Sequence, residues 1–142
     1  MSPTDPEEVV SVFVNLKNNN CTDKDGLQIR PIKCIIDVIV PVLAHIFNLI
    51  LETGVFPPDM QIAKVIAIHK GGDKNTLCIY RPISILPIFS KGLEKIIYKR
   101  FITYLKRNHV LSNSQFGFRE QSSTELALLA QKEYIISGFE KS

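Results

Sequence analysis

Cysteine is scarce in this chain of 142 residues, and what there is does not organise anything. Cys21, Cys34 and Cys78 are an odd number, with no Cys-x-x-Cys spacing and no His pair nearby. A disulfide framework and a zinc site are both disfavoured, and a reducing compartment fits best. Seven glycines and eight prolines are too few for a collagenous or low-complexity chain. The start, Met1-Ser2-Pro3-Thr4-Asp5, has no basic n-region and no apolar h-region, so no secretory signal is expected there. The most apolar run, Ile35 to Leu51, is interrupted by Asp37, Pro41, His45 and Asn48, and reads as a buried helix pair rather than a membrane span. Signatures of catalysis are missing as well. There is no Gly-x-Ser-x-Gly, no Walker loop, no Gly-x-Gly-x-x-Gly and no Cys placed beside a His.

What is present is enough apolar content, 45% against 22% charged, to build a core within one domain or part of one at 16.0 kDa. Charge is distributed unevenly. Residues 1–62 hold four basic and eight acidic side chains, a net −4, whereas residues 63–142 hold thirteen and six, a net +7. Between Ala63 and Arg119 only Asp73 and Glu94 oppose eleven Lys and Arg. Such a concentration either attracts polyanions at long range or simply solvates one face.

Thr4-Asp5-Pro6-Glu7-Glu8 supplies a cap, a first-turn proline and acids at the positive helix end, so Pro6 to Lys17 is expected to be a short amphipathic helix. The polar stretch through Asp23-Lys24-Asp25-Gly26 is expected to be a loop. Pro31–Ile39 and Pro41–Thr53 read as two helices broken at Pro41, the second ending at Gly54 before Pro57-Pro58. His45, with no second ligand one turn away, reads as a packed or partly exposed histidine. Ile62 to His69 resembles a strand covered on both faces, and Tyr80 to Leu86 a second strand at an edge or beside a bulge because of Pro82. Joined across Gly71-Gly72-Asp73, they make a hairpin. Ile88 to Asn108 reads as a helix with Leu93, Ile96, Ile97, Phe101, Tyr104 and Leu105 on one face and Lys91, Lys95 and Lys99 on the other. After a loop from His109 to Gln121, Ser122-Ser123-Thr124-Glu125 is a capping box for a last helix that Gly138 ends.

Metal-assisted catalysis requires acids that converge, and Asp73 has no acid near it in sequence. Glu7-Glu8 is explained by helix capping and Asp23/Asp25 by a turn. Anion-binding groups are better placed. Lys70 at the end of one strand and Arg81 at the start of the next are able to clamp a triphosphate, or are solvated residues of an ordinary hairpin. In Gln115-Phe116-Gly117-Phe118-Arg119, two aromatics around a glycine and an arginine either stack on bases and hold a phosphate, or pin a long loop to the core.

Read in order, these segments resemble the N-terminal part of the reverse transcriptase domain of non-LTR (LINE-type) retrotransposons. The likeness runs through Asp25-Gly26-Leu27 and Ile32-Lys33, then Leu43, Ile46-Phe47-Asn48 and Gly54-Val55-Phe56-Pro57. It continues through 63–73, Tyr80-Arg81-Pro82-Ile83-Ser84-Ile85-Leu86, Lys91, Leu93-Glu94-Lys95, Arg100, 115–119 and Ser122-Ser123-Thr124. Each motif is short; their order and spacing over nearly the whole chain make the match specific.

The resemblance implies an α/β (α+β) fragment, mostly helical with a β-hairpin, corresponding to the fingers and start of the palm of a right-hand polymerase. Residues 1–60 would be an N-terminal helical extension. Residues 61–121 would carry the fingers hairpin, the basic helix and the Gln-Phe-Gly-Phe-Arg loop, and 122–142 a helix leading to the palm. It further implies a role in RNA-directed DNA synthesis, with RNA template, DNA primer and deoxynucleoside triphosphate as partners and an intracellular, nuclear or cytoplasmic location. Lys70 and Arg81, with Lys64, would contact the nucleotide's phosphates. Gln115, Gly117, Phe118 and Arg119, with Lys91, Lys95 and Lys99, would contact template and primer. The family's catalytic aspartates lie further along than Asp73, the last Asp here. The Mg²⁺ of the complete enzyme would therefore find no ligands in this chain, and the chain alone is expected to be inactive. The alternatives are a non-catalytic nucleic-acid-binding module derived from such an element, or an inert truncated relic. His69 departs from the family's usual hydrophobic residue or Lys.

Overall fold

Asp5 starts the first helix as its sequence implies. The computed structural model describes residues 2–140, and in it the Asp5 carboxylate accepts the Glu8 N–H at 2.6 Å ahead of α1 (Pro6–Asn15). Val9 and Phe13, one turn apart, are buried completely. At the other end Lys33 donates to the Val14 and Leu16 carbonyls at 2.8 and 2.6 Å, supplying donors where a helix end lacks them.

The proline break falls elsewhere than the sequence suggests. Helix α2 (Ile29–Cys34) stops at Ile35, with φ −111° and ψ 8°, and α3 (Ile36–Thr53) runs through Pro41. A proline inside a helix costs about 3 kcal/mol, whereas burying each of Val40, Leu43 and Phe47 contributes roughly 1.5–3 kcal/mol. Packing wins, and Pro41 is left on the exposed side. Gly54 ends α3 in the left-handed conformation (φ 71°), its N–H reaching the Ile50 carbonyl at 2.9 Å. By length and composition the stretch Ile29–Thr53 is apolar enough to cross a membrane. Here one side of it forms the core with Val9 and Phe13, while Val38, Val42 and Leu49 remain exposed. Asn48 ties α3 to the chain start, accepting the Thr4 N–H at 2.6 Å and donating to the Thr4 carbonyl at 2.9 Å.

After a one-turn helix α4 (Pro58–Gln61) come β1 (Lys64–His69) and β2 (Tyr80–Ile85), an antiparallel pair. The expectation of a strand covered on both faces is not met. Val65, Ile66, Ile68 and Ile83 are 38–63% exposed, because a two-stranded ribbon cannot by itself shield either face.

Helix α5 (Ile88–Arg107) returns to the core through Leu93 and Ile96, both fully buried. Gly92 allows that approach, since a Cβ there would stand 2.5 Å from Cζ of Phe13. The apolar face expected to continue through Phe101 and Tyr104 is uncovered there, at 55% and 61% exposure. Two compact units, residues 1–100 and 101–142, divide within α5.

The second unit holds the end of α5, a loop and α6 (Thr124–Glu140). The cap is Ser123, whose Oγ accepts the Leu126 N–H at 3.2 Å, rather than Ser122 of the expected capping box. Gly138 lies inside the helix rather than ending it; a helical glycine costs only about 1 kcal/mol. The expected segment 122–142 reaches beyond the described residues at Lys141 and Ser142. The described residues thus form a mostly helical α/β chain with a two-stranded sheet.

Candidate functional site

Register decides which hairpin side chains share a face. Ile68 pairs with Arg81 and His69 with Tyr80, and the ladder continues one step as the Lys70 N–H donates to the Ile79 carbonyl at 2.8 Å. Directly opposed residues point the same way and faces alternate along a strand, so Lys70 and Arg81 are diagonal neighbours on one face. Such neighbours are about 7–8 Å apart, within reach of one polyphosphate for side chains of this length. Both are exposed. The one acid of the turn, Asp73, accepts the Asn75 N–H at 3.0 Å, and no ion pair to Lys70 or Arg81 occurs among the described residues. Gly71 (φ 113°) and Gly72 (φ 92°) take the backbone through a region closed to side chains. Tyr80 closes the loop by donating its hydroxyl to the Lys74 carbonyl at 3.0 Å.

Lys64 shares that face but lies at the far end of β1, about 13 Å along the strand from the position paired with Arg81. Its ammonium donates instead to Thr22 Oγ1 at 3.3 Å. The structure does not bring Lys64 to Lys70 and Arg81. On the opposite face the His69 ring meets Tyr80 at 5.3 Å, with Nε2 buried and unpartnered.

On α5, Lys91 and Lys95 are more than a plain basic stripe. They border a cavity of about 320 Å³ that also takes in Lys17, Asn19, Cys21 and Asp23. Lys95 additionally lies 5.9 Å over the Tyr98 ring. Lys99 is exposed and near Glu8. Burial pushes the Glu8 carboxyl up, but hydrogen bonds from Arg100 and Thr4, with the charges of Arg100 and Lys99, outweigh it and hold the group below the ordinary glutamate range. The Arg100 guanidinium also binds the Ser2 and Pro3 carbonyls, so it ties the chain start to α5.

Within the second unit, the Gln115–Arg119 stretch is partly self-bonded. Arg119 donates to the Ser112 carbonyl at 2.8 Å and Gln115 to the Gly117 carbonyl at 3.3 Å. Phe116 is half-buried. Phe118 is fully exposed in the left-handed conformation (φ 58°), a cost of roughly 1–2 kcal/mol that no packing of its ring offsets. Of the two aromatics only Phe116 is able to pin the loop. A Cβ on Gly117 would meet nothing, so sterics give no reason for glycine there. Phe116, Gly117 and Phe118 border an open depression at the start of α6 with Ser122, Ser123 and Thr124.

Sequence reasoning missed the reach of Asp23, which reads as a turn former. It is buried, and it also accepts the Ile88 N–H at 3.1 Å, capping α5 from 65 positions away. A signal existed: Leu86-Pro87 precedes α5 and neither residue has a side-chain acceptor. Among the described residues no three His, Cys, Asp or Glu side chains converge, so the residues present do not fit a metal centre.

No family model matches the chain. Individual proteins do. It is 33% identical, over 94% of its length, to the RNA-directed DNA polymerase from mobile element jockey of Drosophila melanogaster. With the jockey polymerase of Drosophila funebris the identity is 35% over 98% of the chain. The probable RNA-directed DNA polymerase from transposon X-element of Drosophila melanogaster is 28% identical over 99%. The chain is a segment of the non-LTR retrotransposon reverse transcriptase family. It spans about 16% of the length of these curated relatives. In this reverse transcriptase segment, the hairpin tip and the Lys91–Lys95 row belong to residues 1–100, and the aromatic loop to residues 101–142.

Proposed function

We propose that this chain is the part of a retrotransposon reverse transcriptase that handles the incoming nucleotide and the template–primer, in the fingers and at the approach to the palm. Lys70 and Arg81 hold the triphosphate, Lys as a compact charge and Arg as a two-pronged donor. Lys91, Lys95 and Lys99 engage template–primer phosphates, and Gln115, Gly117, Phe118 and Arg119 present a stacking ring and a cation to the nucleic acid. The observation that carries this reading is the shared face of Lys70 and Arg81, both exposed and neither paired with an acid. The exposed, strained Phe118 supports it independently.

In a complete polymerase a divalent ion would supply charge stabilisation for in-line displacement. No group of acids among the described residues fits such an ion, and on this reading the chain by itself binds without polymerising. The test is a titration of the purified chain with a template–primer duplex and with a deoxynucleoside triphosphate. Lys70→Ala and Arg81→Ala are each expected to weaken nucleotide binding about tenfold to a hundredfold, the loss of a charge-assisted hydrogen bond of about 1.5–3 kcal/mol. Equal affinity in all three proteins refutes the hairpin assignment, and Mg²⁺-dependent primer extension by the chain alone refutes the division of labour.

A further inference from the structure

The cavity at the start of α5 has a composition that the hairpin and the aromatic loop do not explain. Three lysines from two separate parts of the chain line it: Lys17 just after α1, and Lys91 and Lys95 one turn apart on α5. None of the three forms an ion pair among the described residues. The one acid in the wall, Asp23, is committed elsewhere. Its Oδ1 accepts the Asp25 and Leu27 N–H groups at 3.0 and 2.9 Å, and its Oδ2 the Ile88 N–H. Three cationic residues around one small space favour an anion there. Ile29 and Ile88 supply an apolar wall, and Asn19 an amide able to donate and accept. At about 320 Å³ the space is at the small end of ligand pockets and suits a single nucleotide rather than a duplex.

We propose that this cavity takes one nucleotide unit of a single-stranded nucleic acid, with its phosphate between Lys17, Lys91 and Lys95. The inference rests on the nucleic-acid reading above and adds Lys17, which lies in the acidic half of the chain, to the binding surface. It also turns Lys91 and Lys95 from a long-range attractive row into a specific seat.

Cys21 lines the cavity and is exposed, while Cys34 is exposed at the end of α2 and lies outside it. Alkylation by iodoacetamide, read residue by residue by mass spectrometry, therefore reports occupancy with an internal control. The probe is a short oligothymidylate at low salt, its binding followed in parallel by fluorescence anisotropy. At about ten times the Kd the free fraction is about one-tenth, so Cys21 is expected to react about tenfold more slowly and Cys34 at an unchanged rate. In Lys17→Glu, and separately in Lys95→Gln, protection of Cys21 is expected to disappear at a concentration that still saturates the anisotropy signal. Bound oligonucleotide with Cys21 reacting at its free rate, or protection that survives both substitutions, overturns the cavity assignment and leaves the nucleic-acid reading standing. No binding at low salt overturns both.

Discussion

The carboxylate of Asp23 caps a helix that begins at Ile88: its Oδ2 accepts the Ile88 N–H at 3.1 Å while Oδ1 holds the Asp25 and Leu27 N–H groups. One buried side chain thus closes its own turn and fixes where α5 starts relative to it. Asp23→Ala strands three backbone donors, one of them in a buried bond, and is expected to cost roughly 2–4 kcal/mol in urea unfolding. Asp23→Asn keeps one acceptor and should cost less. Equal loss in both would mean that packing, not capping, is what Asp23 provides.

Two glycines make opposite predictions. Gly92→Ala puts a methyl group against the Phe13 ring and is expected to destabilise by about 1–3 kcal/mol. Gly117→Ala meets open space at a backbone that is not left-handed, so its melting temperature should match the parent chain. A loss of nucleic-acid affinity in Gly117→Ala without loss of stability would then identify close approach of a ligand to that backbone.

Acid should loosen the attachment of the chain start. Since the Glu8 carboxyl is held below its ordinary value in the folded chain, its contribution is fully present above the ordinary glutamate range of the unfolded chain. It fades as pH falls through the lower folded value. Urea midpoints measured downward from about pH 5 should drop more steeply in the parent chain than in Glu8→Gln. Parallel curves would show that the Glu8–Arg100 pair, 2.6 Å apart, contributes nothing net.

Lys99→Ala and Arg119→Ala are both expected to weaken template–primer binding. Each should also lower the slope of log affinity against log salt by about 0.9 for every duplex phosphate that the removed cation had neutralised. Arg119 also holds the Ser112 carbonyl. Its variant therefore needs a thermal melt beside the titration. Unchanged slopes in both proteins would remove these two residues from the interface.

Much of the helix pattern is legible in the sequence because its causes are local. Asp5, Pro6 and Glu8 start α1, Gly54 stops α3, and the spacing of Leu93 and Ile96 marks the buried side of α5, all through interactions within a turn or two. The misplacements share the opposite character. Pro41 reads as a break because its local cost is visible in sequence, while the burial of Val40, Leu43 and Phe47 that outweighs it is not. The exposed faces of β1 escape a sequence reading for the same reason: β-branched content reports a preference for being covered, not whether anything covers it.

In the candidate site the division is similar. Lys70 and Arg81 are identifiable from the alternation of strand and turn residues, since period-two geometry links the two strands once a hairpin is recognised. Residue order alone settled most of the helix pattern and the polarity of the charge, because these depend on composition and on interactions a few residues long. Only the folded chain decided that Lys17 joins Lys91 and Lys95, that Asp23 serves Ile88, and that Lys64 stands apart from the hairpin tip. The approach of Lys17 to Lys91 and Lys95, of Asp23 to Ile88 and of Lys64 to Thr22 bridges tens of residues, a range that local sequence periodicity does not report.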